Sequence, residues 1–170
     1  QGVDWITTVK ACANMCFGGD SQFGGSTLTQ QLVKNTTEEK SSTVQRKVRE
    51  IFRAQLLEKE YDKDIIMKEY LNRIYLGKGC YGVKSAAAAY FGKELQSLTV
   101  AECASLISIT NNPSLFNPYS TSVYMYKGEM RNGQQRNRYR QESVLSEMLN
   151  QGYLTEEEYV TAFNQVLVFK

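Results

Sequence analysis

A mainly α-helical, single-domain fold is what this sequence predicts, on three observations. Apolar residues recur at three- and four-residue spacings along several stretches too long for strands. Only two prolines interrupt 170 residues, and the other breakers gather in short glycine clusters. No segment reads convincingly as a strand, and no internal repeat appears. A hydrophobic content of 42% supplies a real core for one domain of this length.

The elements follow in order. Residues 3–17 carry Trp5, Ile6, Val9, Ala13, Met15 and Phe17 among few charges, the pattern of a helix with a broad apolar face. Gly18, Gly19, Gly24 and Gly25 bracket a flexible link after it. A short helix is expected over 26–34, starting from Ser26 or Thr27. Thr36 and Glu39 have capping-box spacing, and a long helix should follow from about 43 to 60. Its apolar positions are Val44, Val48, Ile51, Phe52 and Leu56. Asp62 can cap a further helix in which Ile66, Tyr70 and Ile74 share a face, with Gly77, Gly79 and Gly82 ending it. Residues 86–91 form a small-residue helix suited to close packing and stopped by Gly92. Thr99 with Glu102 caps an apolar helix to about Ile109. Pro113 and Pro118 mark a loop, and 120–134 is polar and weakly patterned. Closing helices are expected over 136–150 and 155–165, the second capped by Thr155 and Glu158.

Composition excludes several functions. A net charge of +2 argues against a nucleic-acid partner, which calls for a clear basic excess. No run approaches the ~20 apolar residues of a membrane span, and no signal peptide is recognisable. Gln1 to Asp4 read as mid-domain sequence, so the chain is expected to be cut from a longer parent. Histidine is absent, which removes imidazole metal sites, Ser-His triads and histidine bases together. Acid–base work then falls to carboxylates, Lys, Tyr or Cys. Cys12, Cys16, Cys80 and Cys103 lack metal-ligand spacing apart from the first pair and read as buried thiols, with a disulfide left open.

Two stretches could carry chemistry. In Gly24 to Asn35, two glycines feed a helix start, whose backbone N–H groups attract anions. Ser26, Thr27, Thr29, Gln30 and Gln31 add uncharged donors, and Lys34 a point charge, a set suited to sugar hydroxyls beside a phosphate. Taken alone, it also fits a capped polar surface helix. In Arg46-Lys47-Val48-Arg49-Glu50, with Arg53 beyond, Arg46, Lys47 and Arg53 all lie three or four residues from Glu50. That makes Glu50 an orienting anion rather than a proton donor, either in an ordinary ion-paired face or in a basic shelf for a pyrophosphate. Two short motifs mislead. Gly77-Lys78-Gly79-Cys80-Tyr81-Gly82 matches a dinucleotide fingerprint without the βαβ unit it needs, and Asn35-Thr36-Thr37 is a glycosylation acceptor with a high chance rate. No Ser-x-x-Lys is present, so acyl-serine transpeptidase chemistry is not in this chain.

Read in order, these blocks resemble the glycosyltransferase family 51 domain of class A penicillin-binding proteins and monofunctional transglycosylases. The matching residues are Gly25 to Asn35, Arg46 to Glu50, and Ile65 to Tyr81 around Glu69-Tyr70-Leu71-Asn72-Arg73-Ile74-Tyr75-Leu76-Gly77. Ala86 to Lys93, Leu98 to Glu102, Asn112-Pro113-Ser114 and Asn117-Pro118 continue the run. The resemblance implies a lysozyme-like helical domain that polymerises lipid II into glycan strands by inverting transfer, with loss of undecaprenyl pyrophosphate. It implies that Lys34, Arg46 and Lys47 bind pyrophosphate charge, that Gln31, Thr27 and Ser26, with Asn35 beside them, line the donor cleft, and that Asn72 and Tyr75 are mainly architectural. Glu50 would be the second carboxylate of the family, orienting either the cationic residues or a divalent cation (Mg or Mn). Implied partners are lipid II, the nascent glycan strand, the membrane surface and the phosphoglycolipid inhibitor moenomycin. The implied location is the extracytoplasmic face of the bacterial cell membrane, with residues 3–23 matching a mobile apolar region that dips into it.

One departure bears on activity. The family's general-base glutamate is expected upstream of Gln1, and inverting attack needs such a base. The expectation is therefore a chain inactive by itself, with a non-catalytic lipid II or glycan-binding module as the alternative. A lysozyme-like hydrolase fits poorly, because it needs a carboxylic acid in an apolar pocket and Glu50 is ringed by cations.

Overall fold

A computed structural model of the chain describes residues 26–37 and 43–170. The expectations for residues 3–17, for the glycine link through Gly25, for Cys12 and Cys16, and for Glu39 lie outside the described residues. The chain divides into two compact units, the first closing at Ile74 and the second spanning Tyr75–Lys170.

The first unit contains α1 (Leu28–Thr37), α2 (Val44–Glu60) and α3 (Lys63–Arg73), with α1 packed on both of the others. Helix α1 runs past the expected end. Thr36 and Thr37 do not cap the next helix. They lie inside α1 and donate their hydroxyls back to the carbonyls of Leu32 and Val33 at 2.8 and 3.0 Å, as mid-helix threonines do. The cap of α2 is Thr43, whose side chain accepts from the Arg46 N–H. Helix α2 turns a different face inward than its apolar spacing suggests. Lys47, Glu50, Ile51 and Ala54 are buried, whereas Val44, Val48, Phe52 and Leu56 are exposed. In α3, Ile66 and Tyr70 are buried, as is Ile74 just beyond it. That helix stops at Arg73, before the glycines, because Ile74 turns to extended backbone.

The glycines build the loop that opens the second unit. Gly77, Gly79 and Gly82 all take positive φ, and Lys78 between them does too. Helix α4 (Val83–Phe91) ends on Gly92 in the left-handed conformation, the usual helix stop. A 3-10 turn (Leu95–Ser97) leads to α5 (Val100–Thr110), where both arms of the Thr99–Glu102 capping box form. Pro113 does not sit in a loop. It opens a short helix, α6 (Pro113–Phe116), at the first helical position, where its missing N–H is harmless.

Residues 120–134, polar and weakly patterned in sequence, hold a hairpin. Strands β1 (Tyr124–Tyr126) and β2 (Glu129–Arg131) pair antiparallel with Met125 opposite Met130. The turn residues Lys127 and Gly128 both have positive φ, 51° and 83°, which a two-residue hairpin loop of this hand requires. Helix α7 (Gly133–Asn150) starts from an Asn132–Gln135 capping box, and α8 (Glu156–Asn164) from the expected Thr155–Glu158 box. Ala101, Ala104, Leu145, Leu154 and Ala162 form the core between α5, α7 and α8. Three polar side chains on α7 thread the packing. Arg136, fully buried, donates to the carbonyls of Leu115, Ser122 and Arg131. Asn137 bridges Ser105 and the Phe116 carbonyl, and Gln141 reaches the Ala101 carbonyl. The thiols of Cys80 and Cys103 are free; Cys80 is buried, but Cys103 is exposed on α5, against the expectation for it.

Candidate active site

The start of α1 is set by its own side chains. The Thr27 hydroxyl accepts from the Gln30 N–H, and Gln30 Oε1 accepts from the Thr27 N–H, both at 3.3 Å. This is a capping box with Gln in the third position. Thr27-Leu28-Thr29-Gln30 carries that signature in sequence. It fixes the orientation of the motif that precedes Lys34.

Most of the motif's polar groups face inward. Lys47 on α2 lies 7% exposed, and its ammonium donates to Ser26 Oγ at 2.7 Å, to Gln30 Oε1 at 3.3 Å and to Glu50 Oε1 at 2.5 Å. Three acceptors match the three donors of an ammonium. Glu50, also buried, gives its other oxygen to the Arg46 guanidinium at 2.6 Å. One carboxylate thus holds two cations, one turned inward to α1 and one, Arg46, half-buried at the helix's first turn. Thr29 donates its hydroxyl to Glu58 Oε1 at 2.5 Å, and Gln31 takes the Tyr70 hydroxyl at 3.3 Å while donating to the Ser26 carbonyl. Burial raises the Tyr70 phenol above its ordinary range, so it serves as a neutral donor.

The predicted site residues therefore separate. Ser26, Thr27, Gln31, Lys47, Glu50 and Arg46 join in one hydrogen-bonded region of the first unit. Lys34 and Asn35 are exposed at the end of α1. Lys34 stands four residues after Gln30 and so lies in the same row of the helix, one turn further on. Asn72 is exposed at the end of α3. Tyr75 belongs to the second unit, where its ring lies 5.1 Å from that of Tyr81. Two functional-looking partners, Glu58 and Tyr70, were not singled out as site residues. Only the three-dimensional meeting of three helices reveals them.

The residues around Glu50 fit a divalent cation poorly. Both carboxylate oxygens are held by N–H donors, its neighbours are cations, and among the described residues no three carboxylates or thiols gather as a metal site would need. Among the described residues, no helix is long and apolar enough to cross a membrane.

Comparison with known proteins gives the family of the chain. The family model described as Transglycosylase matches residues 1–149. A penicillin-binding protein 1A of Aquifex aeolicus is 40% identical over 169 residues, covering 99% of this chain and 22% of that protein. A penicillin-binding protein 1A of Escherichia coli is 38% identical over 160 residues, covering 94% of this chain and 17% of that protein. The crystal structure of penicillin-binding protein 1A from Haemophilus influenzae matches with a TM-score of 0.51 at 26% identity, over 89% of this chain and 18% of that one. The chain thus spans about a fifth of the length of these relatives. With the family model covering most of its length and its helical fold shared with a solved relative, the chain belongs to the transglycosylase family.

Proposed function

We propose that this chain is a peptidoglycan glycosyltransferase domain that polymerises lipid II into glycan strands at the extracytoplasmic face of the bacterial cell membrane. The observation that carries the reading is one buried carboxylate, Glu50, holding both Arg46 and Lys47 beside the Ser26–Gln30 motif. When the glycosidic bond breaks, negative charge builds on the departing undecaprenyl pyrophosphate. Cations fixed beforehand stabilise that charge more than the ground state. We assign the direct contacts with it to Arg46, on the edge of that network, and to the exposed Lys34. Lys47, with its donors engaged inside, adds positive potential from behind the motif rather than a direct contact. The first turn of α1 adds the positive end of a helix dipole.

Glu50 is the wrong group to accept the proton of the attacking 4-hydroxyl, since each of its oxygens already accepts from a cation. We assign that step, as the family resemblance implies, to a glutamate upstream of Gln1, and route no step through a divalent ion. A chain of these 170 residues should then bind donor mimics yet polymerise lipid II slowly, the behaviour of the alternative binding-module reading as well. Polymerisation by this chain and by a version extended upstream distinguishes the two: full turnover by the short chain overturns the placement of the base, and inactivity of both favours the binding module.

Moenomycin should bind in either case. Lys34→Ala and Arg46→Ala should each weaken it about fivefold or more, the loss of one charge-assisted contact. Unchanged affinity in both variants would remove the pyrophosphate seat.

A further inference from the structure

Three consecutive side chains of α1 are held by three different anchors. Thr29 is 4% exposed and bonds Glu58 near the end of α2. Gln30 is fully buried and takes Lys47 near the start of α2. Gln31 takes Tyr70 on α3. Successive helix residues point about 100° apart, so these bonds grip the first turn from three directions and fix its rotation about its own axis. The Lys47 and Tyr70 anchors belong to residues already tied to the motif. Glu58 stands apart, eight residues beyond Glu50 and half-buried at the edge of a cavity of about 210 Å³ that Thr27, Thr29 and Lys63 also line.

We propose that Glu58 is a positioning residue for the pyrophosphate seat. By accepting the Thr29 hydroxyl it completes the set of bonds that fixes the rotation of α1, and with it the direction in which Lys34 and the helix N-terminus face a diphosphate. The inference rests on the glycosyltransferase reading above. A hydroxyl donating to a carboxylate is a charge-assisted bond and among the stronger ones. A turn released at Thr29 keeps its Gln30 and Gln31 bonds, so the helix should persist with a small rotation that misaligns its exposed cation.

The test uses Glu58→Ala, Glu58→Gln, Thr29→Val and the double variant Thr29→Val/Glu58→Ala. Moenomycin affinity is read on this chain, and kcat and KM for lipid II on an upstream-extended form that turns over. Glu58→Ala and Thr29→Val should each lose about tenfold in kcat/KM, mostly in kcat, as expected when a transition-state contact is misplaced. Glu58→Gln keeps an acceptor oxygen and should recover most of the loss, and the double variant should be no worse than either single one. Wild-type kcat in Glu58→Ala, or a double variant whose losses multiply, overturns the inference. So does a loss of activity that only follows the fraction of unfolded protein. If Glu58→Ala fails to fold, Thr29→Val and Glu58→Gln carry the same test, because both preserve shape. Wild-type protein that neither binds moenomycin nor polymerises sinks the glycosyltransferase reading, and this inference with it.

Discussion

Removing the Glu50 carboxylate should damage stability far more than an exposed ion pair would. Its side chain is 4% exposed, and its two oxygens hold Arg46 at 2.6 Å and Lys47 at 2.5 Å. In Glu50→Ala the Lys47 ammonium stays buried with two neutral acceptors, Ser26 and Gln30, and no anion. Deleting one partner of a buried pair costs about 3–5 kcal/mol, most of it from the stranded charge. For a chain of this size each kcal/mol lowers Tm by roughly 2–4 °C, so the expected drop is about 6–20 °C. Glu50→Gln keeps the volume and one acceptor and should lose about half as much. The double change Lys47→Met/Glu50→Leu removes both charges with little change in volume, which is often neutral for stability. Its Tm should recover only part of the loss, because Ser26 and Gln30 then lack a donor and Arg46 its carboxylate, while moenomycin binding stays impaired. Thermal and urea denaturation followed by circular dichroism provide the measurement. A Glu50→Ala variant within about 1 kcal/mol of wild type would show that the charges reach solvent and that the network holds nothing.

Three further expectations concern the second unit. Gly133→Ala should destabilise by about 3 kcal/mol or more in urea titration, since an added Cβ would sit 2.1 Å from the Asn117 carbonyl oxygen and 2.8 Å from Ser120. Lys127→Asn should stabilise by about 0.5–1 kcal/mol, because Lys127 holds φ at 51° in the hairpin turn and Asn accepts that conformation more readily; an unchanged or lowered Tm counts against the turn assignment. Burial pushes the Glu102 carboxyl up, but the Lys93 ammonium at 2.7 Å and the Thr99 N–H at 2.8 Å outweigh it and hold the group below its usual 4.5. A depressed carboxylate contributes stability above its unfolded pKa and loses it as pH falls through the folded one. The Tm deficit of Glu102→Gln should therefore be full at neutral pH and shrink below about pH 4.5; a deficit constant with pH would rule out the ion pair as its source.

Helix ends were the most legible part of the fold, because a cap is a local event. Thr99–Glu102 and Thr155–Glu158 need only three residues of sequence to be recognised, and both form. Gly92 stops α4 for a reason equally local, its left-handed φ. The hairpin was missed because its strands are three residues each and its turn is Lys-Gly, a weaker signal than Asn-Gly. Thr36 misled through a correct motif in the wrong place: Thr-x-x-Glu spacing says nothing about whether the preceding helix has ended. At the site, the residue types were legible from the sequence, but their direction was not. The Ser26 to Gln31 polar groups look like ligand donors, and the fold turns most of them toward α2 and α3.

Helix α2 shows why direction was hidden. Its periodicity correctly separates two faces, but the more apolar of them, Val44, Val48, Phe52 and Leu56, is the exposed one, with Phe52 and Leu56 each 62% exposed. The inner face mixes Ile51 and Ala54 with Lys47 and Glu50. What decides the matter is the partner. Helix α1 presents Ser26 and Gln30 to α2, and an apolar side chain against them would leave buried acceptors unmatched, at about 1–3 kcal/mol each. Lys47 satisfies both, and Glu50 then neutralises Lys47. A charged pair three residues apart, beside a Ser/Thr/Gln-rich helix start, is thus itself a sequence signal for a buried polar seam. In this chain that seam keeps Arg46 at the edge of the network, with its guanidinium held by an inner carboxylate rather than by solvent. A cation held in that way needs little reorganisation when an anion forms beside it, which is the physical requirement for stabilising a departing diphosphate.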